Sequence, residues 1–234
     1  FKEFTPENIR KQFPLVLEKI AEDFKEIEEN LSNYLTHNHL TWDKVINPLN
    51  EVNEILRWSW GVISHLNAVN NSESLRDIYS KFLPEIISLS NKFGQSKIIY
   101  NSLVKLKERN NFDQIKNRIL EKEILEMQHR GISLLKNDQE EFNKISEKLG
   151  KLTTDFSNNV LDATNHWFLI LNKKSEVDGL PERVLEMMAI SAHNHLKKEG
   201  EVDIKNGPWK LSLDIPTYTS FMTYATDRNL RDCL

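Results

Sequence analysis

Leu17, Ile20, Phe24, Ile27, Leu31 and Tyr34 recur at alternating intervals of three and four residues, with Glu, Asp and Lys between them. That spacing follows the 3.6-residue helical repeat and draws one apolar stripe along a long amphipathic helix. A strand would need a period of two. Three further stripes follow: Trp42, Val45, Leu49, Val52, Leu56, Trp60 and Ile63; then Leu75, Ile78, Phe82, Ile86, Leu89 and Phe93; then Phe142, Ile145, Leu149, Leu152, Phe156, Val160 and Ala163. Four long stripes satisfy one another only by packing side by side. The expected fold is mainly α, an antiparallel bundle of long kinked helices.

Starts and stops are written locally. Thr5-Pro6-Glu7 combines a capping hydroxyl, Pro at the first helical position and an acid in the first turn. Pro14 is expected to break that helix and restart it, and Pro48 and Pro84 to kink the next two. Asn70-Asn71-Ser72 is a break with Ser72 as the cap, and Gly94 a stop. Shorter helices are expected over 96–108 and 113–130, the second ending at Gly131. Asp138-x-x-Glu141 has the spacing of a capping box and is expected to open the fourth long helix.

Past residue 166 the pattern changes. Phe168–Leu171 is a short apolar run, and Trp209, Leu211 and Leu213 alternate with Lys210 and Ser212. Both predict short strands, hence a small two-stranded β element near the C-terminal end. Between them Pro181 opens a helix running to about Lys198, followed by a polar loop over 200–208. Asp227 caps a further helix that is only about two turns long when the sequence stops, which suggests a fragment. One helical domain over 1–234 is expected, with a bundle over 1–166, strands plus helix over 167–216, and the start of further helices over 217–234.

Composition narrows the function classes. A formal charge of −4 over 234 residues gives no electrostatic reason to expect nucleic acid or an anionic membrane as partner. No apolar run approaches the roughly 18–20 residues of a membrane span. The single cysteine, Cys233, excludes an internal disulfide framework and suits a reducing compartment, and FKEFTPENIR lacks a signal-peptide pattern. A cytoplasmic location is expected.

Chemistry-bearing residues are few. The helical zinc-protease motif needs His-Glu-x-x-His, two imidazoles on one face beside a general base. None of His37, His39, His65, His129, His166, His193 or His195 is followed by Glu, and no two are four apart. His193 and His195, two apart on a helix, point about 200° away from each other. His37 and His39 fall in a turn between helices. Asp162 with His166, and His195 with Glu199, have helical i,i+4 spacing. Two ligands are too few, since a structural zinc takes four and a catalytic one three plus water. A protonated His166 at a helix C-terminus is explained by capping. Asn67, Asn70 and Asn71 read as turn residues. No Gly-x-Ser-x-Gly elbow or phosphate loop occurs, and Cys233 reads as part of a helix face. No catalytic, cofactor-binding or metal-binding residue is assigned.

Five segments nevertheless carry a likeness: TWDKVINPLNEVNEIL (41–56), SHLNAVNNSESLRDIY (64–79), LPEIISLSNKFGQ (83–95), LTTDFSNNVLDAT (152–164) and LDIPTYTSFMTYATDRNLR (213–231). In order and spacing they resemble the N-terminal part of the thimet oligopeptidase family of zinc metallopeptidases, on its oligopeptidase A branch. His166 and the final Asp232-Cys233-Leu234 depart from the family pattern. The resemblance implies a two-lobed, mainly helical peptidase with a deep channel that admits short peptides and excludes folded proteins. It implies a zinc held by His-Glu-x-x-His and a further Glu in the later part of the parent protein. This chain would then be the non-catalytic lobe, one wall of the channel, inactive and zinc-free by itself, with short peptides and its own catalytic lobe as partners. The alternative is a stand-alone helical-bundle interaction module. An open reading frame continuing into His-Glu-x-x-His separates the first from the second, whose gene would end near Leu234.

Overall fold

The computed structural model describes residues 4–109, 112–197 and 199–234. In order they form α1 (Pro6–His37), α2 (Trp42–Val69), α3 (Glu73–Gly94), α4 (Lys97–Arg109), α5 (Gln114–His129), α6 (Lys136–His166), β1 (Phe168–Leu171), a 3-10 turn (Lys174–Val177), α7 (Glu182–His195), β2 (Trp209–Ser212), α8 (Ile215–Tyr224) and α9 (Arg228–Asp232). The chain divides into two compact units, one through Thr154 and one from Asp155. None of the described helices is long and apolar enough to cross a membrane.

In the first unit the expected stripes become the core. Ile9, Phe13, Leu17, Ile20, Phe24, Ile27 and Leu31 are all buried along α1. They meet Val45, Val52 and Ile63 of α2, then Leu75, Ile78, Phe82 and Ile86 of α3, with Leu103 and Leu106 of α4 closing the cluster. Aromatic pairs hold the register: Phe13 meets Phe82 edge-on at 5.0 Å, and Phe24 stacks on Phe93 at 4.1 Å. Short connections make α1/α2 and α2/α3 helical hairpins.

Local punctuation accounts for most boundaries. Thr5 Oγ1 accepts from Asn8 N at 3.3 Å, and Ser72 Oγ accepts from Leu75 N at 3.3 Å. Gly131, at φ +85, lets Ile132 N reach back to the Met127 carbonyl at 3.2 Å and so ends α5.

Two boundaries differ from expectation. Pro14 neither breaks nor restarts α1, which runs on to His37. A Pro removes one backbone donor, but Phe13 and Leu17 on either side are buried in the core, and their packing outweighs that loss. Asp138 does not cap α6. The helix begins two residues earlier at Lys136, leaving Asp138 inside the first turn, where its charge suits the positive end of the helix dipole.

The larger difference lies in the fourth stripe. No residue of α6 is fully buried, and Leu149 is 63% and Phe156 70% exposed. Ile145, Leu152 and Val160 are exposed as well. The reason is a neighbouring face of the same helix. Ser146, Gly150 and Thr154 recur four apart, and Gly150 comes so close to α3 that a Cβ there would strike Ile87. Successive residues turn by about 100°, so seating Gly150 on α3 swings Leu149 off it. Small residues let α6 approach closely. The apolar stripe is left on its shoulder.

The second unit is built on the two-stranded antiparallel sheet, in which Phe168 pairs with Ser212 and Leu171 with Trp209. The alternation read in WKLSL appears as burial of Trp209 and Leu211 with Lys210 and Ser212 half-buried. Trp209 is fully buried and its Nε1 donates to the Ile204 carbonyl at 3.1 Å. Met188 of α7 and Phe221 of α8 complete this core. α7 ends at His195, short of Lys198, which lies outside the described residues. Asp227 caps α9, accepting from Asn229 N and Leu230 N.

Candidate functional site

The residues singled out by sequence are held by local bonds. His166 Nδ1 donates to the Asp162 backbone carbonyl at 2.7 Å, one helical turn back. The ring folds back on the last turn of α6, and this bond goes to the backbone of Asp162. His37 does the same at the end of α1, donating to the Asn33 carbonyl at 2.9 Å. The i,i+4 pairing of His195 with Glu199 is not realised, because α7 stops at His195 and Lys197 turns to φ +50. His195 instead packs edge-on to Phe168 at 4.3 Å, beside Lys210, whose Nζ lies 4.9 Å from the Phe168 ring centre. Among the described residues no three of His, Cys, Asp and Glu converge into a set that could hold a metal.

The Asn cluster shapes the α2–α3 turn. Asn71 Nδ2 donates to the Asn67 carbonyl at 2.9 Å, and Asn71 Oδ1 accepts from Arg76 Nε at 2.6 Å. Asn70 is the residue at which α2 ends.

Two concave features of the first unit lay outside the sequence expectation. The first is a cleft of about 270 Å³ among α2, α3, α4 and α5. Leu49, Phe93, Leu103 and Met127 give it apolar walls, and Asn50, Asn53, Glu123, Glu126 and Arg130 its polar groups. Burial pushes the Glu123 carboxyl above the ordinary carboxylate range, and Glu126 adds to the effect, while Lys122 and Arg130 oppose it. Two amides, two carboxylates and a guanidinium on apolar walls make a set suited to binding a polar group.

The second is a groove of about 490 Å³ between α3 and α6. Leu83, Ile86 and Ile87 form one wall, Leu149 and Gly150 the other. At its end Gln95 and Asn143 clasp amide to amide, at 2.8 and 3.2 Å, and Gln95 Nε2 also donates to the Arg130 carbonyl. Asn91 lines the groove, is 6% exposed, and its Nδ2 is buried without a hydrogen-bond partner among the described residues. No local pattern marks any of these residues. They meet because helices distant in sequence pack together, and only the small-residue spacing of Ser146, Gly150 and Thr154 hinted at the contact.

Comparison with known proteins places this architecture. The profile described as "Neurolysin/Thimet oligopeptidase, N-terminal domain" matches residues 13–140. The chain is 34% identical over 235 residues to oligopeptidase A of Haemophilus influenzae, covering 99% of this chain and 32% of that protein. It is 33% identical over 228 residues to the organellar (chloroplastic/mitochondrial) oligopeptidase A of Arabidopsis thaliana, covering 96% of this chain and 28% of that protein. Against the probable cytosolic oligopeptidase A of the same plant it is 36% identical over 195 residues, 82% of this chain and 28% of the relative. The chain thus spans about a third or less of the length of the relatives it matches.

Proposed function

Because this chain belongs to the neurolysin/thimet oligopeptidase family, in which it matches the N-terminal domain, we propose that it is the non-catalytic lobe of a zinc-dependent metalloendopeptidase of the oligopeptidase A type. The observation that carries this is the near end-to-end likeness of the chain to the oligopeptidases A, of which it covers only a fraction. The substrates of the parent protein are short peptides, and this lobe forms one wall of the channel that admits them and keeps folded proteins out. The described residues do not fit a zinc site, since no three suitable side chains converge. The zinc and its His-Glu-x-x-His belong to the partner catalytic lobe. Cytoplasmic residence is part of the same reading, supported by the lone cysteine and by the cytosolic name of one relative.

A fluorogenic peptide assay on two proteins tests this. The full-length protein carrying residues 1–234 is expected to turn over the peptide and to stop when a chelator is added. Residues 1–234 alone are expected to show no turnover. Zinc-dependent cleavage by the isolated chain, or a full-length sequence without His-Glu-x-x-His, would overturn the assignment and favour the stand-alone interaction module.

A further inference from the structure

We propose that the exposed shoulder of α6, Ile145, Leu149 and Leu152, together with the adjoining α3–α6 groove, is the seat on which the C-terminal remainder of the same polypeptide docks. The inference rests on the reading above only in its premise that this chain is one part of a longer protein.

Three observations point to a covering polypeptide. The apolar residues are contiguous: Ile145, Leu149 and Leu152 follow one another along the helix and are each more than half exposed. From Ile145 to Leu152 the stripe runs about 10 Å at the helical rise, two turns of the helix. Scattered exposed apolar side chains need no explanation, but a contiguous set beside an open apolar groove marks an interaction surface. The groove beside it is open and apolar, lined by Ile86, Ile87 and Leu149 among others. At the same groove lies the buried, unpartnered Asn91 amide. An unsatisfied buried donor is costly, and a backbone carbonyl brought in by a docking segment would satisfy it after a small χ2 rotation. Apolar side chains along the shoulder and a carbonyl oxygen at Asn91 describe a stretch of protein chain.

The occupant follows from length. The matched relatives contain two-thirds or more of their sequence outside the part this chain covers. A segment tethered to the same chain meets the surface at an effective concentration in the millimolar range, whereas a second copy must associate from solution and lose its translational freedom. Glu141, Lys144 and Lys148 border the shoulder with charges of both signs. They give the strip the polar rim of an ordinary interface.

The test is thiol labelling, because Cys233 is the only cysteine of this chain and is removed by Cys233→Ser. Ile145→Cys and Leu149→Cys are made in residues 1–234 and in the full-length protein. Maleimide labelling is read by mass spectrometry of the α6 peptide, with the urea-unfolded rate as reference and circular dichroism as the check on folding. Both positions are expected to label near the reference rate in residues 1–234 and at least ten-fold more slowly in the full-length protein. Equal rates in the two contexts would overturn the proposal. So would protection in residues 1–234 that rises with concentration alongside dimerisation, which identifies a second copy as occupant. Labelling of the full-length protein that slows only with saturating non-cleavable nonapeptide would also overturn it, by making the face a peptide site. Peptide turnover on the same full-length sample separates the two ideas. Protection without turnover leaves the docking seat standing and sinks the peptidase reading, and turnover without protection does the reverse.

Discussion

Gly179 stands at φ +87, with the backbone carbonyl oxygen of Tyr224 where a Cβ would project. The close approach lets Thr226 N donate to the Asp178 carbonyl at 3.0 Å and ties the end of α8 to the turn before α7. An alanine meets both a strained backbone and an immovable atom. Gly179→Ala is expected to destabilise the second unit by about 1–3 kcal/mol, measured as a lower urea midpoint with unchanged slope. Asp214 makes the opposite kind of contribution. Partial burial works against its charge, but bonds from Ser212 Oγ at 2.7 Å and Thr217 N at 3.1 Å prevail and hold the carboxyl below its ordinary range. A carboxyl depressed in the folded state stabilises above the unfolded carboxylate range and stops doing so as pH falls through the folded value. Asp214→Ala is therefore expected to cost about 1 kcal/mol at neutral pH, with the gap to wild type closing in acid, as urea titrations across pH will show. At this scale the sequence is readable where the partner is a few residues away. Thr5, Ser72 and Asp227 cap because their acceptor atoms need only the next turn. Glu123, Asn91 and Gln95 acquire their roles from other helices, which no local string encodes.

Among the helices, identical patterns lead to different fates. Ile20 on α1 is fully buried and Leu149 on α6 mostly exposed, although each sits on a stripe of the same period. Ile20→Ala is expected to cost about 2–5 kcal/mol through transfer and cavity, whereas Leu149→Ala in residues 1–234 is expected to cost under about 0.5 kcal/mol. Differential denaturation of the two variants checks this. Periodicity identifies a face that gains by leaving water, but it does not supply the neighbour. Gly150 decided the contact, because the helix face able to approach α3 most closely was the one with the smallest side chains. Pro14 teaches a related lesson. It is exposed on an unbroken α1, so its lost backbone bond is offset by packing on the far side of the helix. Pro14→Ala restores the bond to the Arg10 carbonyl and is expected to stabilise the chain by about 1–3 kcal/mol, seen as a raised thermal midpoint. A lower midpoint would mean that the local backbone is shaped around the proline.

For the molecule as a whole, mainly helical architecture and the small sheet could both be read from the sequence, because long 3.6-residue stripes and one short alternating run leave few alternatives. Family membership rested on strings such as SHLNAVNNS and FSNNVLDAT, whose value is likeness and not chemistry. In keeping with that, residues 1–234 are expected to retain no stoichiometric zinc after equilibrium dialysis, and their thermal midpoint to be the same with zinc or with chelator. Bound zinc at one equivalent would place ligands among residues 1–234 after all. The pairing of β1 with β2 bears on how the molecule is made. The partner of Phe168–Leu171 arrives only after a 3-10 turn, a full helix and a polar loop have been synthesised. At roughly 5–20 residues per second the ribosome leaves that apolar strand bare for a few seconds. In that interval its unpaired edge is open to chaperones and to neighbouring nascent chains. Trp209, delivered with β2, both completes the ladder and buries the surface on which those encounters depend.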